Sequence, residues 1–302
     1  MVFRTNRRRL TIMAATEFRT FAPAKINLFL HVLGKRTDGY HDLESLVTFA
    51  DVGDHLTAMP ADKWGLTITG PFADALRGYD PDDNLILRAA HLAAEWARAE
   101  GLTLPPLHFT VEKHLPVASG IGGGSADAAA ALHLCGEAAG FAVITRAQYD
   151  AAAVLGADVP ACLYSKPTWM TGTGTALRPA VMTSRFALVL VNPGVPVSTA
   201  EVFSRLGAPS PRGQRSEYPN FMTLDDLVVF LKDTTNDLEA PACALAPVIS
   251  HVIEEIAATS PLLARMSGSG ATCFGLYPTE EDAQKAASAI RVAHHDWWVM
   301  CG

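Results

Sequence analysis

Between Phe18 and Gly34 the side chains alternate, with Ile26, Leu28, Leu30 and Val32 on one face and Asn27, Phe29 and His31 on the other. This alternation predicts a β-strand. Short β-like runs at Leu46 to Ala50 and Leu66 to Thr69, set off by Gly and Pro, extend this to a sheet near the N-terminus. The spacing then changes. Leu85, Ala89, Leu92 and Trp96 recur at helical intervals, which predicts a helix from about Asn84 to Glu100, capped by Asp82 and Asp83 and stopped by Gly101. Leu107, Phe109 and Val111 alternate as a strand, residues 116–124 form a glycine-rich loop, and an alanine-rich helix begins near Ser125. A shorter helix from about Ala147 to Leu155 leads into Gly156-Ala157-Asp158-Val159-Pro160, a sharp turn that presents an acidic group.

Beyond Pro167 the mixed texture returns. A strand from Phe186 to Val191 is followed by helices at about Thr199 to Leu206 and Leu224 to Leu231, then by a long helix ending near Ala258. A loop at Met266 to Gly270, a strand from Ala271 to Tyr277, a helix near Glu280 to Val292 and a strand at Trp297 to Met300 complete the chain. Strands and helices mixed in both halves predict an α/β (α+β) fold, and 302 residues are enough for two moderate lobes.

Composition narrows the function classes. An apolar share of 49% with 18% charged residues fits a packed globular protein, and no run approaches the roughly 18 to 20 apolar residues that span a bilayer. No membrane association is expected. The net charge of -7 argues against nucleic acid as a partner, because phosphate-backbone binding rests on clustered Lys and Arg. Cys135, Cys162, Cys243, Cys273 and Cys301 lie far apart with no CxxC pair, so neither a zinc site nor a disulfide framework is indicated, and reduced thiols in a cytosol are expected. Arg4, Arg7, Arg8 and Arg9 precede the first acidic residue, Glu17. Residues 1–16 therefore read as a transit peptide, which would place the protein in a plastid, or as a disordered tail upstream of a true start at Met13 in a bacterial cytosol.

The chemistry concentrates in Pro116-Val117-Ala118-Ser119-Gly120-Ile121-Gly122-Gly123-Gly124-Ser125-Ala126-Asp127, which places glycines directly before a helix. Backbone without side chains approaches an anion closely, and the first helix amides and the helix dipole favour phosphate there. No GxxxxGK[ST] occurs, and Ser125 stands where a GxGxxG would need its third glycine, so this is neither a P-loop nor a dinucleotide fingerprint. Taken alone, such a cluster could equally be a flexible linker or a packing turn.

Three segments in order bring a family resemblance. Pro23-Ala24-Lys25-Ile26-Asn27-Leu28, the glycine loop, and Met266-Ser267-Gly268-Ser269-Gly270-Ala271 resemble the three signature motifs of the galactokinase, homoserine kinase, mevalonate kinase and phosphomevalonate kinase (GHMP) superfamily. Arg36-Thr37-Asp38-Gly39-Tyr40-His41, Asp83-Asn84-Leu85-Ile86 and Gly156-Ala157-Asp158-Val159-Pro160 are similar to its diphosphocytidyl-methylerythritol kinase branch. The resemblance implies two lobes, residues 17–165 and 166–302, with the active cleft between them. It also implies transfer of the γ-phosphoryl of ATP to the 2-hydroxyl of a cytidine diphosphate conjugate of methylerythritol, in the non-mevalonate route to isoprenoid precursors. The rivals are another GHMP kinase, acting on mevalonate, homoserine or a sugar, and a non-catalytic nucleotide-binding module. A nucleic-acid-binding role for the arginine tail is disfavoured by the acidic total.

Within that frame Asp158 is expected to accept the hydroxyl proton and Lys25 to stabilise the alkoxide or the transferred phosphoryl group. Read alone, Asp158 is a turn-capping aspartate and Lys25 a solvated strand lysine. Residues 116–126 are expected to hold the nucleotide phosphates. Asn27 should face the substrate, Tyr40 should pack on cytosine and His41 should hydrogen-bond it. Asn84 either contacts substrate or caps its helix, and Gly268, Ser269 and Gly270 either lie beside the phosphates or only turn the chain. Ala126 departs from the family pattern, where a second serine commonly follows the first. No cluster of carboxylates reads as a metal site, so Mg²⁺ is expected to arrive with ATP. A monomer or a homodimer is expected.

Overall fold

The computed structural model describes residues 16–78, 80, 83–141, 145–207 and 213–302. The arginine-rich tail and Asp82 lie outside the described residues. Two long antiparallel strands, β1 (Phe18–Lys35) and β2 (His41–Pro60), form the spine of the first sheet. β2 runs well past the predicted Leu46 to Ala50 on both sides; Asp51, Gly53 and Asp54 interrupt its apolar pattern, and its pairing to β1 shifts register there but resumes with Gly53 opposite Pro23.

β3 (Gly65–Thr69) pairs in parallel with β4 (Leu107–Glu112), which pairs with the C-terminal end of β2. β5 (Thr168–Gly172) pairs with the N-terminal end of β2 and with β6 (Ala176–Pro179), completing a six-stranded sheet. The lobe boundary expected at residue 165 therefore falls short, since β5 and β6 belong to the first sheet. Neither strand announces itself in the sequence, where Thr, Gly and Arg dilute the apolar positions.

Helices α1 (Leu85–Ala99) and α2 (Gly123–Ala139) pack together against this sheet. Ala89, Ala90 and Ala93 of α1 and Ala128 to Ala131 of α2 are buried with Leu107, Phe109 and Val111 of β4, so small side chains let the two helices approach closely. Asn84, not Asp83, is the N-cap of α1, its side chain accepting from the Ile86 amide at 2.9 Å. Two short helices follow, α3 (Arg146–Ala152) and α4 (Val159–Tyr164).

The second sheet has four antiparallel strands in the order β10 (Trp298–Cys301), β7 (Ala187–Asn192), β9 (Cys273–Tyr277) and β8 (Leu263–Met266). Around it lie α5 (Thr199–Ser204), α6 (Leu224–Lys232), α7 (Glu239–Leu245), α8 (Val248–Ala258) and α9 (Glu280–Ala293). Thr223 and Thr279 cap α6 and α9 with their hydroxyls, and three carboxylates in the first turn of α9 complement its dipole. No helix among the described residues is long and apolar enough to cross a membrane.

β1 departs most from its predicted pattern. Every residue from Ala24 to Val32 is buried, on both faces. Register shifts between Asn27 and Phe29 and between Val32 and Gly34 break the alternation, so Asn27 and Phe29 do not share an environment. Phe29 packs against the rings of Trp169 and Phe230, and one apolar cluster joins Ile26, Leu28 and Phe29 to Leu188 and Leu190 of β7 and Phe274 of β9. The edge of β1 away from β2 bonds to the loops that follow. Lys25 N donates to Ile121 O at 2.9 Å, Leu30 N to Thr235 O at 3.1 Å, and Val32 N to Asp237 Oδ2 at 2.9 Å. Arg265 Nη1 donates to Leu28 O at 2.8 Å.

Because this one strand belongs to the cores of both lobes, replacing Phe29 by Ala is expected to cost about 3–5 kcal/mol, as for other large buried rings. Chemical denaturation followed by tryptophan emission and by far-ultraviolet circular dichroism should then give one coincident transition at lower denaturant. Two separated transitions would mean that the lobes fold independently.

Candidate active site

A cavity of about 1060 Å³ lies between the lobes. Its floor is the loop between β4 and α2. Ile121 roots that loop in the core, fully buried, while Gly122, Gly123, Gly124 and Ser125 face the cavity. Gly122 stands at the N-cap of α2 in the left-handed conformation and offers no side-chain cap, so the first amides of the helix are left for a ligand.

The loop at 266–272 backs this floor. Gly120 has φ +76°, and a Cβ there would lie 2.5 Å from Ser267 O, while one on Gly268 (φ +54°) would lie 2.6 Å from Gly120 O. Two backbones in contact leave no room for any side chain, which is why both positions are glycine. Thr272 N donates to Ser119 O at 3.0 Å, and Ser267 Oγ to Gly120 O at 3.2 Å. Gly268 and Ser269 line the cavity; Gly270 is packed behind the loop. Ile121 and Ala126 are likewise corrections to the expected phosphate set, since both are buried in apolar clusters. The hydroxyl that Ala126 lacks would therefore point into the core.

Lys25 Nζ lies 2.7 Å from Asp158 Oδ1. The lysine is 4% exposed and the aspartate side chain 36%, so the pair opens to the cavity through its carboxylate. Asp158 occupies the N-cap position of α4, yet its side chain makes no capping bond. Its carboxylate is engaged by Lys25 instead, and the turn-capping reading fails. Beside the pair, Asn27 Nδ2 donates to Ser45 Oγ at 2.8 Å, and Asn27 Oδ1 is a buried acceptor with no partner.

The far end of the cavity is built by the β1–β2 hairpin. Arg36 binds Asp38 and Asp42, and Asp38 Oδ1 accepts from the Tyr40 amide at 3.1 Å, fixing the turn that carries Tyr40 and His41. Tyr40 is 66% exposed at the rim. His41 stacks on Phe203 of α5, with ring centroids 4.9 Å apart. Burial and, secondarily, the charge of Lys35 hold the His41 imidazole below its usual pKa, which favours the neutral ring with one donor and one acceptor. Phe203 was missed in the sequence, where it reads as one apolar residue of a short helix. Asn84 lines the cavity as well, with its carbonyl committed to capping α1.

Residues 84–166 match the GHMP kinases N terminal domain and residues 223–295 the GHMP kinases C terminal domain. The chain is 51% identical to the 4-diphosphocytidyl-2-C-methyl-D-erythritol kinase of Parvibaculum lavamentivorans, over 92% of this chain and 95% of that one. It is 47% identical to the enzyme of the same name from Rhodopseudomonas palustris, over 97% and 99%. A crystal structure of 4-(cytidine 5'-diphospho)-2C-methyl-D-erythritol kinase superposes with a TM-score of 0.72 at 30% identity, covering 94% of this chain and 98% of that one. The chain belongs to the 4-diphosphocytidyl-2-C-methyl-D-erythritol kinase family.

In this member of the family a second, deeply buried ion cluster lies at the base of the cavity, which Lys113 and Asp127 help to line. Lys113 Nζ binds Asp54 and lies 2.6 Å from Asp127 Oδ2. Asp54 Oδ1 also accepts from the amides of His114 and Leu115, at 2.6 and 2.9 Å. The cluster thus ties β2, the end of β4 and the first turn of α2 together at the two roots of the loop. One ammonium faces two carboxylates. Asp54 has backbone donors to share its charge, whereas Asp127 Oδ1 has no partner, so burial pushes the Asp127 carboxyl up to about 7 despite Lys113.

A carboxyl whose pKa is raised in the folded state binds more protons there than in the unfolded chain. Folding stability due to Asp127 is therefore highest below about pH 4 and is lost as pH rises towards about 7. The variant Asp127→Asn should lack this loss. Its melting temperature relative to the parent should rise between pH 4 and 7 by roughly 2–4 °C or more, the shift that about 1 kcal/mol causes in a domain of ordinary size. A pH-independent difference would mean that Asp127 is charged throughout.

Proposed function

We propose that this kinase transfers the γ-phosphoryl of ATP to the 2-hydroxyl of 4-diphosphocytidyl-2-C-methyl-D-erythritol, with Asp158 as the proton acceptor and Lys25 as the charge stabiliser. The carrying observation is the 2.7 Å Lys25–Asp158 pair, which opens into the same cavity as the free helix amides of Gly123, Gly124 and Ser125. The acceptor hydroxyl and the γ-phosphate then meet between the pair and the loop. Asp158 takes the hydroxyl proton as the O–P bond forms and the bond to the β-phosphate oxygen breaks. Lys25 offsets negative charge on the attacking oxygen and the phosphoryl group in flight. Because phosphoryl transfer is loose, placement and charge compensation carry most of the acceleration.

Asn27 Oδ1, an acceptor without a partner, suits a hydroxyl of the substrate. Val117, Leu76 and Leu85 give the end of the cavity beyond the loop an apolar lining suited to the base of ATP. Cytosine fits the other end, where Phe203 and Tyr40 supply aromatic faces and His41 a donor and an acceptor. Mg²⁺ would enter with ATP and neutralise phosphate charge. The cavity holds the Ser125 hydroxyl near the phosphate amides, and the carboxylates of Asp127 and Asp158 also line it, so these oxygens together with phosphate oxygens and water would complete its coordination. The free cysteines, three of them buried, fit a reducing cytosol.

Two variants test this reading. Asp158→Asn should fold with a near-normal melting temperature and lose roughly 10²- to 10⁴-fold in kcat, as removal of a general base does. Full turnover in that variant would remove Asp158 from the chemistry. Phe203→Ala should raise the KM for the cytidine substrate by roughly tenfold, about what loss of 1–1.5 kcal/mol of aromatic contact produces, with the KM for ATP unchanged. Equal changes in both constants would place Phe203 elsewhere in the cycle.

A further inference from the structure

A second group of chemistry-bearing side chains lies in the C-terminal lobe, and none of them lines the active cavity. Helix α8 buries Ile249, Val252 and Ile256 and turns His251 and Glu255, four residues apart, to its other side. His294 ends α9, its amide bonded to Ile290 O at 2.9 Å. The three ligand atoms lie within 4.8 Å of one another, the only such trio of His, Cys, Asp or Glu among the described residues.

We propose that His251, Glu255 and His294 form a transition-metal site, zinc by class, that clips α8 to the end of α9. Two imidazoles and a carboxylate are a donor set that zinc accepts at about 2.0–2.2 Å with a fourth position left to water, which places neighbouring donor atoms about 3.3 Å apart. His294 Nε2 and Glu255 Oε2 are already at 3.2 Å. His251 is exposed, and a rotation of its side chain closes the remaining gap. Trp297 stacks on the His294 ring at 3.7 Å between centroids and meets His251 edge-on at 5.5 Å, so both imidazoles are held against one indole before any ion arrives. Nitrogen donors set the class, because Mg²⁺ and Ca²⁺ prefer an all-oxygen shell.

The test uses the full chain, stripped with a chelator and titrated with zinc chloride by calorimetry in the presence of excess Mg²⁺. One equivalent should bind, and the melting temperature should rise with zinc. His251→Ala should melt like the parent without zinc, His251 being exposed, and should bind zinc more weakly by more than the roughly 10- to 100-fold that loss of an outer-shell partner causes. His294→Ala should weaken zinc binding likewise. Cu²⁺ should quench part of the tryptophan emission, a part that disappears in Trp297→Phe while zinc binding persists. Absence of stoichiometric zinc binding overturns the proposal, as does undiminished zinc affinity in both histidine variants. Displacement of zinc by Mg²⁺ overturns the assigned class.

Discussion

The edges of β1 have to be satisfied on both sides where the strand is buried, from Ala24 to Val32. A buried amide or carbonyl without a partner costs about as much as several ordinary contacts contribute, so each free group of the strand selects a neighbour. β2 takes one edge. The other is met by Ile121 of the phosphate loop, Ser267 of the loop behind it, Arg265 of β8, and the turn at 235–237. These are the segments that must converge for a cavity to exist between the lobes. Lys25 and Asn27 stand on the same strand, so satisfying the backbone and placing two polar side chains at the cavity are one act of folding.

Two ion clusters divide the electrostatic work. Lys25 and Asp158 share a boundary with water, and the carboxylate keeps enough exposure to meet a substrate hydroxyl. Lys113, Asp54 and Asp127 are more deeply buried, and their arrangement joins both roots of the phosphate loop. Burial raises the pKa of the Asp127 carboxyl, whose Oδ1 has no partner, and so favours its protonated form. The phosphate loop is thus held by charge at its roots, by the buried Ile121 in its middle, and by backbone contact at Gly120.

The substrate end follows a different principle. Its rings sit on a hairpin turn and on a short helix, elements with little core of their own, and Arg36 with its two aspartates supplies the rigidity that packing does not. An exposed Tyr40 beside a stacked His41–Phe203 pair leaves an aromatic slot whose width a base can set. In the proposed function, affinity for the base and chemistry at the phosphoryl group are separated along one cavity, which would let binding energy at one end position the hydroxyl at the other.

Local patterning was enough to establish the strands and helices with strong periodicity, the glycine loop before a helix, and the three motifs that gave the family. Those features are written in consecutive residues, because φ/ψ preference and amphipathic spacing act over a few positions. The sequence also carried both catalytic candidates, yet it could not tell whether the Asp158 carboxylate caps its helix or faces the cavity, since its partner Lys25 stands 133 residues away. β5 and β6 escaped detection because their stability comes from β2 and not from their own composition. The split of Asn27 from Phe29 depends on a register shift, and the roles of Phe203, Lys113 and Asp127 depend on neighbours brought by other elements. Burial, pairing register and charge proximity are properties of the assembled chain, and they alone decided which polar residues face the cavity and which hold it open.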